Sequence, residues 1–323
     1  MAVDITENFS FTEYTDGIYF NGKAVATSFD TPPPPNAYSF QGSVSGYTSG
    51  GVAVNTIDKF PFAADGNATD VGDLTQARSY VAGQSSTESG YTSGGFIPTG
   101  RVDPIDKFPF SADANATDVG DLTVAGDGPA GQSSAESGYS SGRGVPFINT
   151  IDKFPFSADT NATDVGDLTT VRYTAAGNSS TISGYASAGQ VSAITNIIDK
   201  FPFAVDANAT DVGDVTQARR FVAGQSSTES GYTSAGYTPV AVNTIDKFPF
   251  SADANATDVG DLSQTRIRPA GQFSTEFGYT SGGYAPGLGN VNIIDKFPFS
   301  ADGNATDVGD LTQTRNASTG QQV

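Results

Sequence analysis

The segment Asp65-Gly-Asn67-Ala-Thr-Asp70-Val-Gly72-Asp73 sets carboxylate and amide oxygens at short spacing around glycine, and it returns near Asp113, Asp159, Asp206, Asp253 and Asp302. Oxygen ligands so arranged are what a hard cation such as calcium requires. Asp65, Asn67, Asp70 and Asp73, with Asp113, Asn115, Asp118 and Asp121 in the next copy, are therefore candidate calcium ligands, and no other cofactor is expected. The spacing is not that of an EF-hand, nor quite that of the related propeller calcium loops. The same residues equally suit a tight turn in which Asn67 and Asp70 cap backbone amides. The Asn-Ala-Thr triplets also match the N-glycosylation acceptor, but Met1-Ala-Val-Asp-Ile-Thr-Glu lacks the basic and apolar regions of a signal peptide.

Other chemistry is narrowed by what the chain lacks. With no Cys and no His, serine–histidine and cysteine–histidine nucleophile systems are excluded, and the commonest transition-metal ligand is missing. A glycosidase would need a carboxylate pair. Nearly every Asp is replicated six times, however, Glu88, Glu136, Glu229 and Glu276 follow the repeat, and within the repeats Asp103 and Asp127 are left as isolated candidates without partners. A non-enzymatic protein is expected, with a propeller glycoside hydrolase as one alternative. The net charge of −19 opposes phosphate binding, so nucleic acid is excluded as a partner. No apolar run approaches the length that spans a bilayer.

The elements that position these residues follow from a period. Ile-Asp-Lys-Phe-Pro-Phe begins at Ile57, Ile105, Ile151, Ile198, Ile245 and Ile294, a spacing of 46 to 49 residues. Each copy carries four short strand-like runs separated by Gly, Asn-Ala-Thr-Asp and Ser-rich turns, and 38 Gly with 17 Pro leave no room for long helices. Four strands in such a period make a propeller blade. The expected fold is all-β, a six-bladed β-propeller over residues 37–323. Its ring is closed by both termini, because Thr314-Arg315 to Gly320-Gln321 starts a further first strand while Gly46-Tyr-Thr-Ser-Gly-Gly51 enters at the second. Residues Tyr38 to Val44 compete for that same innermost position. The repeated arginines Arg78, Arg172, Arg219, Arg266 and Arg315 are expected to pair with an Asp of their own or the next blade; the second copy has Gly126 instead. The lysine of each Ile-Asp-Lys should lay its stem over the neighbouring Phe.

The copies differ in one place. From the Gly-Tyr tyrosine to the next Ile the spacing runs 10, 14, 12, 13, 13 and 15, while the other spacings are fixed. That loop, between the second and third strands, shares a face with the fourth-to-first-strand connection, which also varies. One face is thus diversified and the Asp-rich face uniform. Loops on a rigid scaffold are where recognition usually resides, and aromatic and Arg side chains anchor interfaces. Phe96, Ile97, Arg101, Arg143, Phe147, Arg220, Phe221, Tyr237, Arg268, Tyr284 and Leu288 are the candidate binding residues.

Residues 1–36 lie outside the repeat. Asn8 to Tyr14 and Gly17 to Val25 flank a hairpin signal at Thr15-Asp16-Gly17, and Thr31-Pro-Pro-Pro-Pro-Asn36 reads as a stiff spacer. This is expected to be a short β arm that docks through Phe9, Phe11, Tyr14, Tyr19 and Phe20, or else packs on the propeller.

The pattern Arg, Ala-Gly, Ser-Ser, Gly-Tyr, Ser-Gly-Gly and an apolar strand resembles the kelch repeat, without its usual Trp because the chain has none. With Asp-Lys-Phe-Pro-Phe and Asn-Ala-Thr-Asp-Val-Gly-Asp-Leu in tandem, residues 38 to 322 are similar to kelch-like propeller proteins encoded by marine bacteriophages. The resemblance implies a virion fibre, tail component or decoration, assembled in the host cytoplasm. On that reading the arm binds other virion proteins, the free face binds a host glycan, an envelope protein or a neighbouring subunit, and the protein is a candidate homo-oligomer. A soluble multivalent lectin with sites between blades is the remaining alternative.

Overall fold

The computed structural model describes the strands Phe11–Tyr14, Gly17–Phe20 and Lys23–Ala26 and the stretch 41–323. The chain divides into two units, Met1–Ala37 and Tyr38–Val323.

In the first unit, Phe11–Tyr14 pairs antiparallel with Gly17–Phe20, which pairs in turn with Lys23–Ala26. The run read as one strand from Gly17 to Val25 is therefore two, with Asn21-Gly22, itself a hairpin dipeptide, lying between them. Phe11, Tyr14, Tyr19 and Phe20 belong to these strands; Phe9 and the proline spacer lie outside the described residues.

The second unit is a six-bladed β-propeller of antiparallel four-stranded sheets. The first blade, from the axis outward, is Thr319–Gln322, Ser45–Ser49, Thr56–Pro61 and Thr69–Asp73. The second is Ala82–Ser85, Ser89–Ile97, Gly100–Pro109 and Thr117–Asp121, and four more blades repeat that order. The C-terminus thus supplies the innermost strand of the shared blade. The described part of the competing segment, 41–44, lies at the uniform-face end of the ring instead. There Gly42 N donates to Phe273 O at 3.0 Å, Val44 N donates to Val323 O at 2.7 Å, and Gln41 Nε2 reaches Ser226 O at 3.3 Å.

Apolar packing lies between blades rather than within them. Tyr47, Ile57 and Leu74 of the first blade bury against Phe108, Phe110 and Ala116 of the second. The circuit ends where Tyr279, Ile294 and Leu311 meet Phe60, Phe62 and Ala68. The Tyr279 ring stacks on Phe62 at 4.8 Å and tilts against Phe60 at 5.5 Å, and such pairs add about 0.5–1.5 kcal/mol beyond their area. A single blade could bury neither half of these clusters, which is why the repeat folds only as a ring.

Polar clips run through the same interfaces. Gln84 Nε2 on the innermost strand of the second blade donates to Tyr139 O of the third at 2.9 Å, and Gln321 closes the series on Tyr91 O at 2.9 Å. At the axis the innermost strands touch through glycine. A Cβ on Gly131 would stand 2.2 Å from Gly83 O, and one on Gly320 would stand 2.0 Å from Gly271 O.

Candidate functional site

The uniform face carries the candidate calcium residues, and six of the eight accept hydrogen bonds from protein groups there. Asp65 Oδ1 accepts from Lys296 Nζ at 2.8 Å and Asp113 Oδ1 from Lys59 Nζ at 3.3 Å, both across a blade boundary. Asn67 Oδ1 accepts from Asp310 N at 3.0 Å, and Asn115 Oδ1 from Asp73 N at 3.0 Å. Asp70 and Asp118 cap their own turns, accepting from Gly72 N at 3.1 Å and Gly120 N at 3.2 Å. Asp73 and Asp121 are half-buried, and burial, with Asp103 and Asp118 nearby, raises the Asp121 carboxyl above its ordinary value. These are the contacts that a capped turn makes, with the amide of each Asn spent on the preceding blade. Among the described residues no three His, Cys, Asp or Glu side chains converge as a metal cluster.

The Lys stems lie over tyrosine more than phenylalanine. Lys59 Nζ stands 5.8 Å from the Tyr47 ring, its cross-strand neighbour, and Lys296 is the exception, 4.3 Å from Phe277. The repeated arginines are buried in ion pairs of 2.5 to 3.3 Å with the Asp of Ile-Asp-Lys in the blade each one leads into. Burial pulls Arg172 and Arg219 below the ordinary guanidinium value, while Asp199 and Asp246 pull back.

The variable face is built by an extra layer of pairing above the sheets. Ser79 bridges Phe96, Tyr173 bridges Gln190, Arg220 bridges Tyr237 and Ile267 bridges Tyr284, so the two diversified segments of each of these blades form one surface. The next residue inward completes a circle of backbone hydrogen bonds around the axis. Tyr80 N donates to Ala317 O, Gly128 N to Tyr80 O, Thr174 N to Gly128 O, Phe221 N to Thr174 O, Arg268 N to Phe221 O and Ala317 N to Arg268 O, at 2.6 to 3.0 Å. All six are left-handed, with φ from 56° to 67°. For non-glycine residues this costs on the order of 1–3 kcal/mol each and persists only where the surroundings over-determine it. These six residues ring the axial mouth.

Around that mouth Arg220 and Arg268 both lie over Phe221, their guanidinium carbons 4.6 and 4.4 Å from its ring centre. Arg220 also covers Tyr237 at 5.1 Å and bonds Gln190 through Nη1, and Arg268 covers Tyr80 at 5.2 Å. Burial raises the Tyr80 phenol above its ordinary value against the opposing pull of Arg268. Between the second and third blades a groove of about 290 Å³ is lined by Tyr80, Phe96, Phe147, Tyr173 and Phe221 with Arg101 and Asp127. Arg101 Nε donates to Asp127 Oδ1 at 2.8 Å and lies over Phe96 at 5.8 Å, while exposed Phe147 packs 5.3 Å from Tyr173. Ile97 is half-buried at the end of its strand. Tyr284 and Leu288, 40% and 72% exposed, stand on the sixth-blade loop, where Tyr284–Ala285 pairs with Gly289–Asn290.

Arg143 corrects the expectation for this face. It is fully buried and bonds Asp152 Oδ2 at 2.6 Å, occupying the ion-pair position that Gly126 leaves vacant, so it presents nothing for binding. Tyr80, Tyr173 and Gln190 also belong to the surface; Tyr80 and Tyr173 lie in the varying fourth-to-first-strand connection, at Ser79-Tyr80 and Tyr173-Thr174, which is the signal that could have found them.

The fold and this face define a closed six-bladed propeller with one diversified, aromatic and arginine-bearing surface. No protein-family model matches the chain, and no curated protein is significantly similar to it.

Proposed function

We propose that the protein is a non-enzymatic recognition component of a phage virion, attached to the particle through residues 1–36 and binding its target with the variable face. The observation that carries the recognition role is the distribution of exposed apolar groups among the described residues. Of ten large exposed side chains, Val52, Val124, Val145, Phe147, Val240, Tyr284 and Leu288 stand on variable-face segments, against three, Val44, Ile182 and Val205, on the other face. An excess of such groups on one face supports an interaction role for that face.

The virion assignment is supported by the tandem-repeat resemblance and by the acidic, Cys-free and His-free composition.

Deleting residues 1–36 should leave a folded propeller that no longer joins particles. The double substitution Phe147→Ala/Leu288→Ala should leave incorporation intact and reduce adsorption of the particle to its host. Incorporation that survives the deletion overturns the anchor, and adsorption indifferent to the double substitution overturns the variable-face assignment.

A further inference from the structure

The charge inventory isolates one spot on the molecule. Among the described ion pairs, six lysines and six arginines are taken by the repeat, and Arg101 is taken by Asp127. Arg220 and Arg268 are the two arginines among the described residues without a carboxylate partner, in a chain of net charge −19. They are also neighbours, both within 4.6 Å of the Phe221 ring centre at the axial mouth.

We propose that this pair is the anion-binding end of a site for an acidic oligosaccharide, whose sugar rings run outward along the groove between the second and third blades. The inference deepens the recognition role proposed above and rests on it. Stacking covers the guanidinium faces and leaves the N–H edges as donors, the geometry in which arginine takes a carboxylate or sulfate in bidentate fashion. Arg220 spends one donor on Gln190 and Arg268 spends none on the described residues.

The groove supplies the rest of the ligand's chemistry. Tyr80 and Phe221 line both the axial mouth and the groove, so the two are continuous. Aromatic faces accept the C–H faces of pyranose rings, and Asp127 beside Arg101 offers one acceptor and one set of donors to hydroxyls that act as both. An extended peptide would need partners for its backbone groups all along its length, and the groove presents aromatic rings with a single ion pair instead. A left-handed backbone at both Phe221 and Arg268, φ 59° in each, fixes the stack before any ligand arrives.

The test is binding of the full chain to a short oligogalacturonate, its methyl ester with the same backbone and no charge, dextran sulfate, unmodified dextran and polyglutamate. The expected result is binding of oligogalacturonate or dextran sulfate that weakens with salt, with at least tenfold weaker binding of the neutral counterparts. Separate carboxylate and sulfate arms tell the two acid sources apart. Arg220→Gln/Arg268→Gln should cost at least tenfold and Arg268→Lys less, each with an unchanged melting profile.

Failure of every acidic saccharide to bind, or binding unaffected by the double Arg substitution, overturns the inference. Neutral sugar or polyglutamate bound on this face, and lost in Phe147→Ala, overturns it while leaving variable-face recognition standing. Binding mapped to the uniform face overturns both.

Discussion

Arg143 Nη2 donates to Asp152 Oδ2 across 2.6 Å, both side chains fully buried, and so does from the second strand of the third blade what an arginine in the interblade connection does elsewhere. The exchange is reciprocal. Position 143 holds glycine in the other copies, as at Gly95, and Gly126 stands where they hold arginine. A Cβ on Gly126 would meet Arg143 Cδ at 2.6 Å, so the two arginine placements exclude each other. Asp152 also accepts from Thr123 N at 2.9 Å and Thr123 Oγ1 at 2.6 Å, which ties the ion pair to the preceding blade.

Arg143→Gly should therefore cost about 3–5 kcal/mol, because it leaves a buried carboxylate without its cation. Gly126→Arg alone should also destabilise, by crowding two guanidinium groups onto one Asp. The double variant restores the arrangement of the other blades and should recover most of the loss, a strongly non-additive cycle in denaturant midpoints. Lys153→Ala at the half-exposed Lys153–Asp206 pair should cost less than about 1 kcal/mol. A double variant no more stable than either single one would show that the two arginine sites are not equivalent.

The blade count, the strand order and closure of the ring by the two ends of the chain were readable because one period wrote them six times and its cut ends were complementary, whereas the choice of the C-terminal strand over Tyr38 to Val44 for the innermost position came only from the structure. The role of Arg143 was not, because residues 126 and 143 lie on different segments and only the fold makes them one site. The signal was nonetheless present: the copy that lost its Arg is the copy in which a repeated Gly became Arg. The Asp-rich segment stayed ambiguous for the same reason. The Lys on Asp65 is Lys296 and the amide on Asn67 is that of Asp310, partners a whole ring away in sequence. The circle of backbone bonds through Tyr80 and Phe221 leaves no mark in the sequence, since its residues share a backbone conformation and no side-chain type.

The axial glycines should be intolerant as single sites. Gly131→Ala puts a methyl 2.2 Å from the Gly83 carbonyl oxygen, which can yield only if the innermost strands separate, and overpacking of this kind costs about 1–3 kcal/mol. Gly303→Ala has nothing within 4 Å and no left-handed φ, so it should be neutral or stabilise by up to about 1 kcal/mol through the unfolded chain. Thermal melts of the pair check this; equal effects would mean that the axis is looser than the structure has it.

Removing residues 319–323 should abolish cooperative folding. The strand Thr319–Gln322 pairs with Ser45–Ser49, and Gln321 bridges Ser49 Oγ, Tyr91 O and Thr92 Oγ1 at 2.9 to 3.0 Å. The truncated chain exposes a strand edge and opens the ring, the condition that invites association between chains. Size-exclusion chromatography should show aggregates or oligomers in place of the wild-type species, and a truncated chain with the wild-type profile and melting transition would overturn closure by the C-terminus.

Alkaline pH should unfold the ring in a defined window. Burial raises the phenol of Tyr279 from 10.0 to about 12 and raises Tyr91, Tyr139, Tyr185 and Tyr232 in the same direction. A hydrogen bond to Asp159, Asp206 or Asp253 raises Lys107, Lys153 and Lys200. For a phenol whose folded value lies above its unfolded one, protons leave the unfolded chain first, so stability is intact below about pH 10 and falls as pH rises toward the folded value. The lysines act with the same sign, since their raised folded values make the charged form a native contribution that is lost on deprotonation. The melting temperature should therefore decline from about pH 10 toward pH 12, with tyrosinate absorbance of the buried rings appearing together with unfolding. Without Cys or His, no thiol or imidazole titrates in the approach to that window. Buried phenols that ionise near pH 10 while the ring stays folded would contradict the packing of Tyr279 against Phe60 and Phe62.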